Sequence, residues 1–396
     1  MTDNFKDIAS LLFKPESLKE LFERKLIELD LNQTSVLNIL GIQSRALTKI
    51  LDGTQKLIDP TVLVKLAHFL QLPNEKVFKL YLDAVERNFP VETAPPEKIK
   101  FIRENFDLAV LKKAGFINSL TDFNHIEQRL LARLGLRSIF EYRKPPIDIA
   151  FSSGYFKQES SLTRGFWIKA AMACFEEIDN PNDYDREKLI TLFPQLRWYT
   201  MNEERGISEV IRLLYRVGVT VIYQPPLQTL QLRGATFSVN DKPCIVLTNY
   251  VGFYATLWWG LIHELYHVLF DWDEILTNKY HLTDDSNEQL SVQERESMAD
   301  NFAREYLFSN EKLKTLRPFI QDASYVGDVA KDNHVHPSII YAFNAFDTGK
   351  NDRKAWARAR RHSPDIKEVI KKIDLPWEDA HRVEEIFEVR KSLIYI

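Results

Sequence analysis

Residues 258–270 read WWGLIHELYHVLF, and the reading of this run decides the fold. His263, Glu264 and His267 stand inside an otherwise apolar stretch. Polar groups left unpartnered in such surroundings are costly, so something must satisfy them. A buried structural network, a membrane segment and a metal site are the competing readings. Extended back to Val251, the run approaches the roughly 20 residues that cross a bilayer. Three ionisable groups within five positions are expensive at bilayer depth, however, and no companion spans accompany them. On a helix, His263 and His267 share one face a single turn apart.

Composition agrees with a folded, water-exposed chain. The 396 residues suffice for two or three domains with cores of their own. Hydrophobic residues make up 45% and charged residues 27%, which excludes a disordered chain. A net charge of −4 excludes a surface coated throughout for nucleic acid, although one basic face would be hidden in that total. Cys174 and Cys244 are the only cysteines, so neither a disulfide framework nor a cysteine-based zinc knuckle is expected. The opening MTDNFKDIASLLFKPES lacks a basic region followed by an apolar one, and a cytoplasmic location is expected.

Working outward, a hairpin precedes the motif. VGVTVIYQPP (217–226) changes to a β-branched and aromatic pattern, followed by RGATFSV (233–239), a turn at Asn240-Asp241-Lys242-Pro243, and CIVLTNY (244–250). After the motif comes a polar stretch, 271–291, read as a long loop, then a helix over 292–307. Residues 97–216 read as mainly helical with a break at KPPID (144–148), and Pro95-Pro96 marks a linker. Residues 16–84 are short amphipathic pieces; Gly41 marks a turn of two to four residues, and Asp59-Pro60 gives an N-cap with proline behind it. His68, in LVKLAHFL, is expected to be packed. The overall expectation is a mainly α chain with a small β-sheet.

Two imidazoles one turn apart can grip a divalent ion, with Glu264 beside them as general base. Neutral imidazole nitrogens suit zinc, the ion lowers the pKa of a bound water, and a carboxylate takes the proton. Other divalent ions are compatible with such ligands. A third ligand should come from a second element. QERESMADNFAREYL (293–307) offers Glu296 and, as a rival, Glu294. Asp300, four residues after Glu296 on the same helical face, suits the acceptor for the other N–H of a ligating histidine. Ala299 and Ala303 would let this helix approach closely.

These residues resemble the ImmA/IrrE family of bacterial metallopeptidases, whose pattern is HExxH followed by E-x-x-A-[ND]-x-F-A. The chain reads His263-Glu264-Leu265-Tyr266-His267, then Glu296-Ser297-Met298-Ala299-Asp300-Asn301-Phe302-Ala303. Gly234-Ala235-Thr236-Phe237 and Lys242-Pro243-Cys244-Ile245-Val246-Leu247-Thr248 are similar to the family's strand pair, and 329–343 to its closing helical segment. The likeness covers about 205–345. It implies His263, His267 and Glu296 as zinc ligands, Glu264 as catalytic base, and a protein substrate, typically a partner repressor in a stress or mobile-element response. Tyr266 departs from the pattern where the family favours a small residue, and Ser309 where a proline commonly follows. His281, His334 and His336 are candidates to stabilise an oxyanion.

LNQTSVLNILGIQSRALTKILDG (31–53) resembles the xenobiotic-response-element, lambda-repressor-like helix-turn-helix domains. The resemblance places Gln33 on phosphate and Gln43, Ser44, Arg45 and Thr48 on a recognition helix, with Arg45 reading guanine and Lys49 meeting phosphate. Lys350, Arg353, Lys354, Arg358, Arg360 and Arg361 surround Trp356 in a basic stretch read as a solvated helix.

The expected organisation is a helix-turn-helix DNA-binding domain over 1–90, a helical middle region over 91–200, a zincin-like peptidase domain over 201–345 and a helical extension over 346–396. The expected partners are a protein substrate and an operator in double-stranded DNA, met as a homodimer and away from membranes. The competing expectation is a non-enzymatic repressor or antitoxin-like regulator that keeps the zincin fold as a sensor or binding domain.

Overall fold

Short helices with well-defined caps account for most of the chain, and a single three-stranded sheet is the β-structure among the described residues. The computed structural model describes residues 16–55, 57–89, 94–144, 161–228, 230, 234–249, 252–276 and 286–396. The expected break at Pro145-Pro146 and the candidate His281 lie outside them. The chain divides into two compact units, Met1–Thr93 and Ala94–Ile396. No helix among the described residues is long and apolar enough to cross a membrane.

The first unit holds α1 (Leu18–Glu28), α2 (Gln33–Leu40), α3 (Ser44–Leu51), α4 (Pro60–Leu70) and α5 (Asn74–Asn88). Local chemistry sets their ends. Ser17 and Glu20 close a capping box on α1, and Asn32 accepts from the Ser35 amide at the start of α2. Gly41 ends α2 at φ 71°, a left-handed conformation that glycine adopts without strain. Only residues 41–43 therefore separate α2 from α3, the short turn read from the sequence. Val36, Leu40, Leu47, Leu63, Leu66 and Val77 fill the core. His68 is exposed rather than packed. On α4 the buried arc is Leu63, Leu66, Ala67 and Leu70, and the 3.6-residue period turns His68 away from it.

The second unit opens with α6 (Pro96–Asn105), α7 (Leu108–Lys113), α8 (Phe123–Leu134), α9 (Ser161–Ile178), α10 (Arg186–Leu192) and α11 (Gly206–Arg216). Strands β1 (Thr220–Tyr223), β2 (Gly234–Val239) and β3 (Lys242–Leu247) follow, then α12 (Tyr254–Phe270), α13 (Trp272–Leu276) and α14 (Ser286–Leu307). The chain finishes with α15 (Asn310–Leu316), α16 (Ala323–Asp332), α17 (Pro337–Thr348), α18 (Ala355–Arg361), α19 (Ile366–Ile370) and α20 (Val383–Ile394). One core cluster runs from Ala94 to Tyr395, so the segments 94–200, 201–345 and 346–396 share it.

The strand order is β1-β3-β2, with β1 parallel and β2 antiparallel to β3. Asn240 and Asp241 form the hairpin turn at φ 51° and 58°, the left-handed pair of a two-residue type I′ connection. Lys242 and Pro243 thus belong to β3 and not to the turn. Proline is tolerated there because pairing with β1 begins only at Cys244. Successive side chains on β2 point to opposite faces. Thr236 meets Glu264 of α12, whereas Phe237 meets Phe175 of α9 with ring centroids 5.4 Å apart. The sheet is covered on both sides, which explains the nearly continuous apolar runs in its strands.

The stretch expected as a loop over 271–291 is partly helical. Trp272 and Ile275 are buried, and Trp272 packs edge-on against Tyr184, which fixes α13; α14 then begins at Ser286, earlier than read from the sequence.

Phe237→Ala removes the ring that closes the α9 side of the sheet and should destabilise the chain by about 3–5 kcal/mol. Denaturant unfolding measures this, and a loss below about 1 kcal/mol would show that the α9 face is not a packed layer.

Candidate functional site

Helix α12 is buried nearly all round, so its three ionisable side chains have no solvent to face. They face α14 and β2 instead. Ala299 and Ala303 are fully buried, and such small side chains let α14 approach closely. Glu296 is thereby brought beside both histidines.

The His263 and His267 Nε2 atoms lie 3.2 Å apart. Glu296 places Oε2 3.3 Å from His263 Nε2 and Oε1 3.3 Å from His267 Nε2. A tetrahedral ion with bonds of roughly 2.0–2.1 Å has ligand-to-ligand edges of about 3.3–3.4 Å. Each imidazole faces a different oxygen of the one carboxylate at about that edge length, and the three groups lie close enough together to hold a metal ion.

The other ring nitrogens show why. His267 Nδ1 is 2.8 Å from Asp271 Oδ2, and Asp271 is buried at the C-cap of α12. His263 Nδ1 is 2.9 Å from Asp300 Oδ1, close in distance but off the line of a well-formed hydrogen bond. Asp271 draws the His267 proton to Nδ1, which turns its Nε2 toward the His263 Nε2, and nitrogens this close favour a positive charge between them. Electrostatics point the same way. Burial disfavours the charged imidazoles, but Asp300, Glu296 and Glu264 outweigh it and raise His263 to about 9. Burial is likewise outweighed at His267, which Asp271, Glu296 and Glu264 raise to about 10. Burial pushes the Glu296 carboxyl up, and the two imidazoles more than reverse it, holding it below its usual range. The cluster favours positive charge at this point, whether carried by protons or by an ion.

Glu264 is buried beside them, and β2 shapes its position. Thr236 Oγ1 donates to Glu264 Oε2 at 2.7 Å. A Cβ on Gly234 would fall 2.6 Å from Glu264 Oε1, so only glycine leaves room for the carboxylate there.

Among the remaining sequence candidates, Glu294 is exposed and stands outside the cluster. Tyr266 does not project into the ligand set. Its ring packs on Phe270 and Phe302 at 4.7 and 5.5 Å, edge-on to His267, and its hydroxyl reaches Met298. His336 caps α17, and both its ring nitrogens are engaged, by Ser338 and Glu203. His334 packs against Trp198. In the basic stretch, Trp356 packs on Phe253 and Phe346, and Arg358 pairs with Asp352. The roles of Asp271, Thr236 and Gly234 were not read from the sequence. Asp271 alone carried a signal, since it follows His267 at the same four-residue step that separates the histidines.

In the first unit, Gln33 opens α2, Gln43 is the N-cap of α3, Ser44 and Arg45 lie in its first turn, and Thr48 and Lys49 follow. All six are exposed, while Leu47, Ile50 and Leu51 hold the opposite face of α3 in the core. Arg45 and Lys49 form no ion pair among the described residues, so both charges face outward.

Comparison of the chain with family models, with curated proteins and with solved structures gives no match.

Asp271→Ala should weaken zinc affinity about 10- to 100-fold by releasing His267 from its fixed orientation. Competition against a chromophoric chelator reads this directly, and unchanged affinity would remove Asp271 from the site.

Proposed function

We propose that the second unit is a zinc-dependent peptidase of the ImmA/IrrE, gluzincin-like kind and the first a DNA-reading module. Together they make a cytoplasmic transcriptional regulator that cleaves a partner repressor in a stress or mobile-element response. The observation that carries this reading is the close grouping of His263 Nε2, His267 Nε2 and a Glu296 carboxylate, with buried Glu264 alongside. Two neutral nitrogens and a carboxylate match a zinc donor set, and they accept other divalent ions as well.

Held there, a divalent ion supplies Lewis acidity toward a carbonyl oxygen and toward water. The chain's own residues do the rest. Glu264 accepts the proton of the attacking water and passes it to the departing amine. The Thr236 hydroxyl occupies one carboxylate oxygen and orients the other. Among the described residues β2 pairs only with β3, and an extended substrate segment would add its main chain along this hairpin. Gly234 and Thr236 bring the hairpin against Glu264, which would lay such a segment across the site.

For the first unit, a three-residue turn between α2 and α3 and six exposed polar residues support docking of α3 in a major groove. A dimer on an operator would present two such helices.

Purified wild type should carry one zinc per chain and His263→Ala essentially none; equal, negligible zinc in both would overturn the metal reading. Glu264→Gln should keep the zinc and lose cleavage by about 10²- to 10⁴-fold. Retained biological activity in Glu264→Gln would favour a non-enzymatic regulator. Separately, Arg45→Ala should cost about 1–3 kcal/mol of operator binding and relax preference at one base pair. Unaltered affinity and preference in a gel-shift series would remove the recognition-helix assignment.

A further inference from the structure

The chain's net charge of −4 conceals one basic face. Between Lys350 and Lys372 nine basic residues stand against three acidic ones, the reverse of the balance in the whole chain. Helix α18 aims the central ones. Ala355 and Ala359, one turn apart, are buried, and Trp356 packs on Phe253 and Phe346. The helical period then turns Lys354, Ala357 and Arg361, three and four residues apart, to the opposite side, with Arg360 beside them. Lys350, Arg353, Lys354, Arg360 and Arg361 are all exposed.

The acidic groups nearby are engaged elsewhere. Asp352 pairs with Arg358 at 2.6 Å, Glu368 pairs with Lys371 at 3.3 Å, and Asp365 caps α19. Asp347, at the end of α17, is taken by Arg304 and Arg317. The five exposed cations form no ion pair among the described residues. Like charges on adjoining helical turns repel and destabilise the helix that carries them. A polyanion laid over the face would remove that repulsion.

The chemistry of the face fits one such partner better than its rivals. Ala357 is the only apolar residue at an exposed position of α18. Protein interfaces centre on aromatic and aliphatic anchors, and helices lying in a membrane surface insert such residues. This face has none to offer. Three of its five cations are arginines, whose planar guanidinium matches the oxygens of a phosphate. With Trp356 anchored in the core, these groups are presented on a fixed support.

We propose that Lys350, Arg353, Lys354, Arg360 and Arg361 bind the phosphate backbone of duplex DNA, giving the second unit a contact that is independent of base sequence. The stretch read from the sequence as a solvated helix is thereby an interaction surface. The assignment does not rest on the reading of α3, whose side chains are proposed to meet base edges.

The test titrates the full-length chain with a random-sequence duplex across a salt series, followed by fluorescence anisotropy. Wild type should bind with log K falling linearly against log salt. Lys354→Gln/Arg360→Gln/Arg361→Gln should bind at least about tenfold more weakly at low salt, with a slope shallower by about 2–3. These exposed substitutions relieve repulsion, so the melting temperature should hold or rise. Should that chain fail to fold, Lys350→Gln/Arg353→Gln, outside α18, should still make the slope shallower by about 1–2. Affinity and slope equal to wild type in both variants would overturn the proposal. So would a loss seen only with phosphatidylserine vesicles, which would assign the face to a membrane. Arg45→Ala separates the two DNA claims, since it leaves this face intact and should keep the random-duplex slope within about one of wild type. Absence of any base preference in wild type would remove the α3 reading and leave the slope effect of the α18 variant standing.

Discussion

Two imidazole Nε2 atoms facing each other across 3.2 Å in a buried site are the constraint on which the rest of the second unit depends. Nitrogens this close favour a positive charge between them. Every neighbouring element contributes to making that charge favourable. The cap of α12 supplies Asp271, and α14 supplies Glu296 and Asp300. β2 contributes in another way, since its glycine leaves the space that the Glu264 carboxylate fills. Burial opposes the charged imidazoles, and the carboxylates overcome it. This balance is the one expected of a site built to hold a cation.

That balance requires α12 to be held from all sides. The hairpin covers one side, and its far face is sealed by α9 through Phe237 and Phe175. Arg129 of α8 ties the C-terminal segment into the same core by donating to the Phe116, Trp377 and Asp379 carbonyls. The segments before and after the motif region are therefore part of the scaffold that presents the site. A mobile histidine pair would lose the 3.2–3.3 Å spacings that make the cluster a candidate metal site.

The first unit follows a simpler rule. Its helices are amphipathic, its caps are local, and the buried arc of each helix decides which residues look outward. Gln43, Ser44, Arg45, Thr48 and Lys49 are exposed because Leu47, Ile50 and Leu51 take the other face of α3. His68 is exposed by the same geometry, although its apolar neighbours in the sequence suggested otherwise.

Much of this was legible in the order of residues. A mainly α chain with a small sheet, the hairpin, the short α2–α3 turn and the placing of His263 and His267 on one helical face follow from periodicities and spacings that act within a few residues; Glu296 was favoured over Glu294 by the family resemblance. Tyr266 showed only that the motif held an unusual residue; its outward packing on Phe270 and Phe302 depends on where α14 lies. Gly234 and Thr236 looked like ordinary strand residues until β2 met Glu264, and the α13 helix looked like polar loop until Trp272 found Tyr184. The sequence by itself determined most of the helices, their caps and the residue types of the candidate metal site, because those are set by local hydrogen bonding and side-chain period. The tertiary structure decided the 3.2–3.3 Å spacings and the support of Glu264. Those depend on how closely two helices and a strand approach, which packing across distant segments sets.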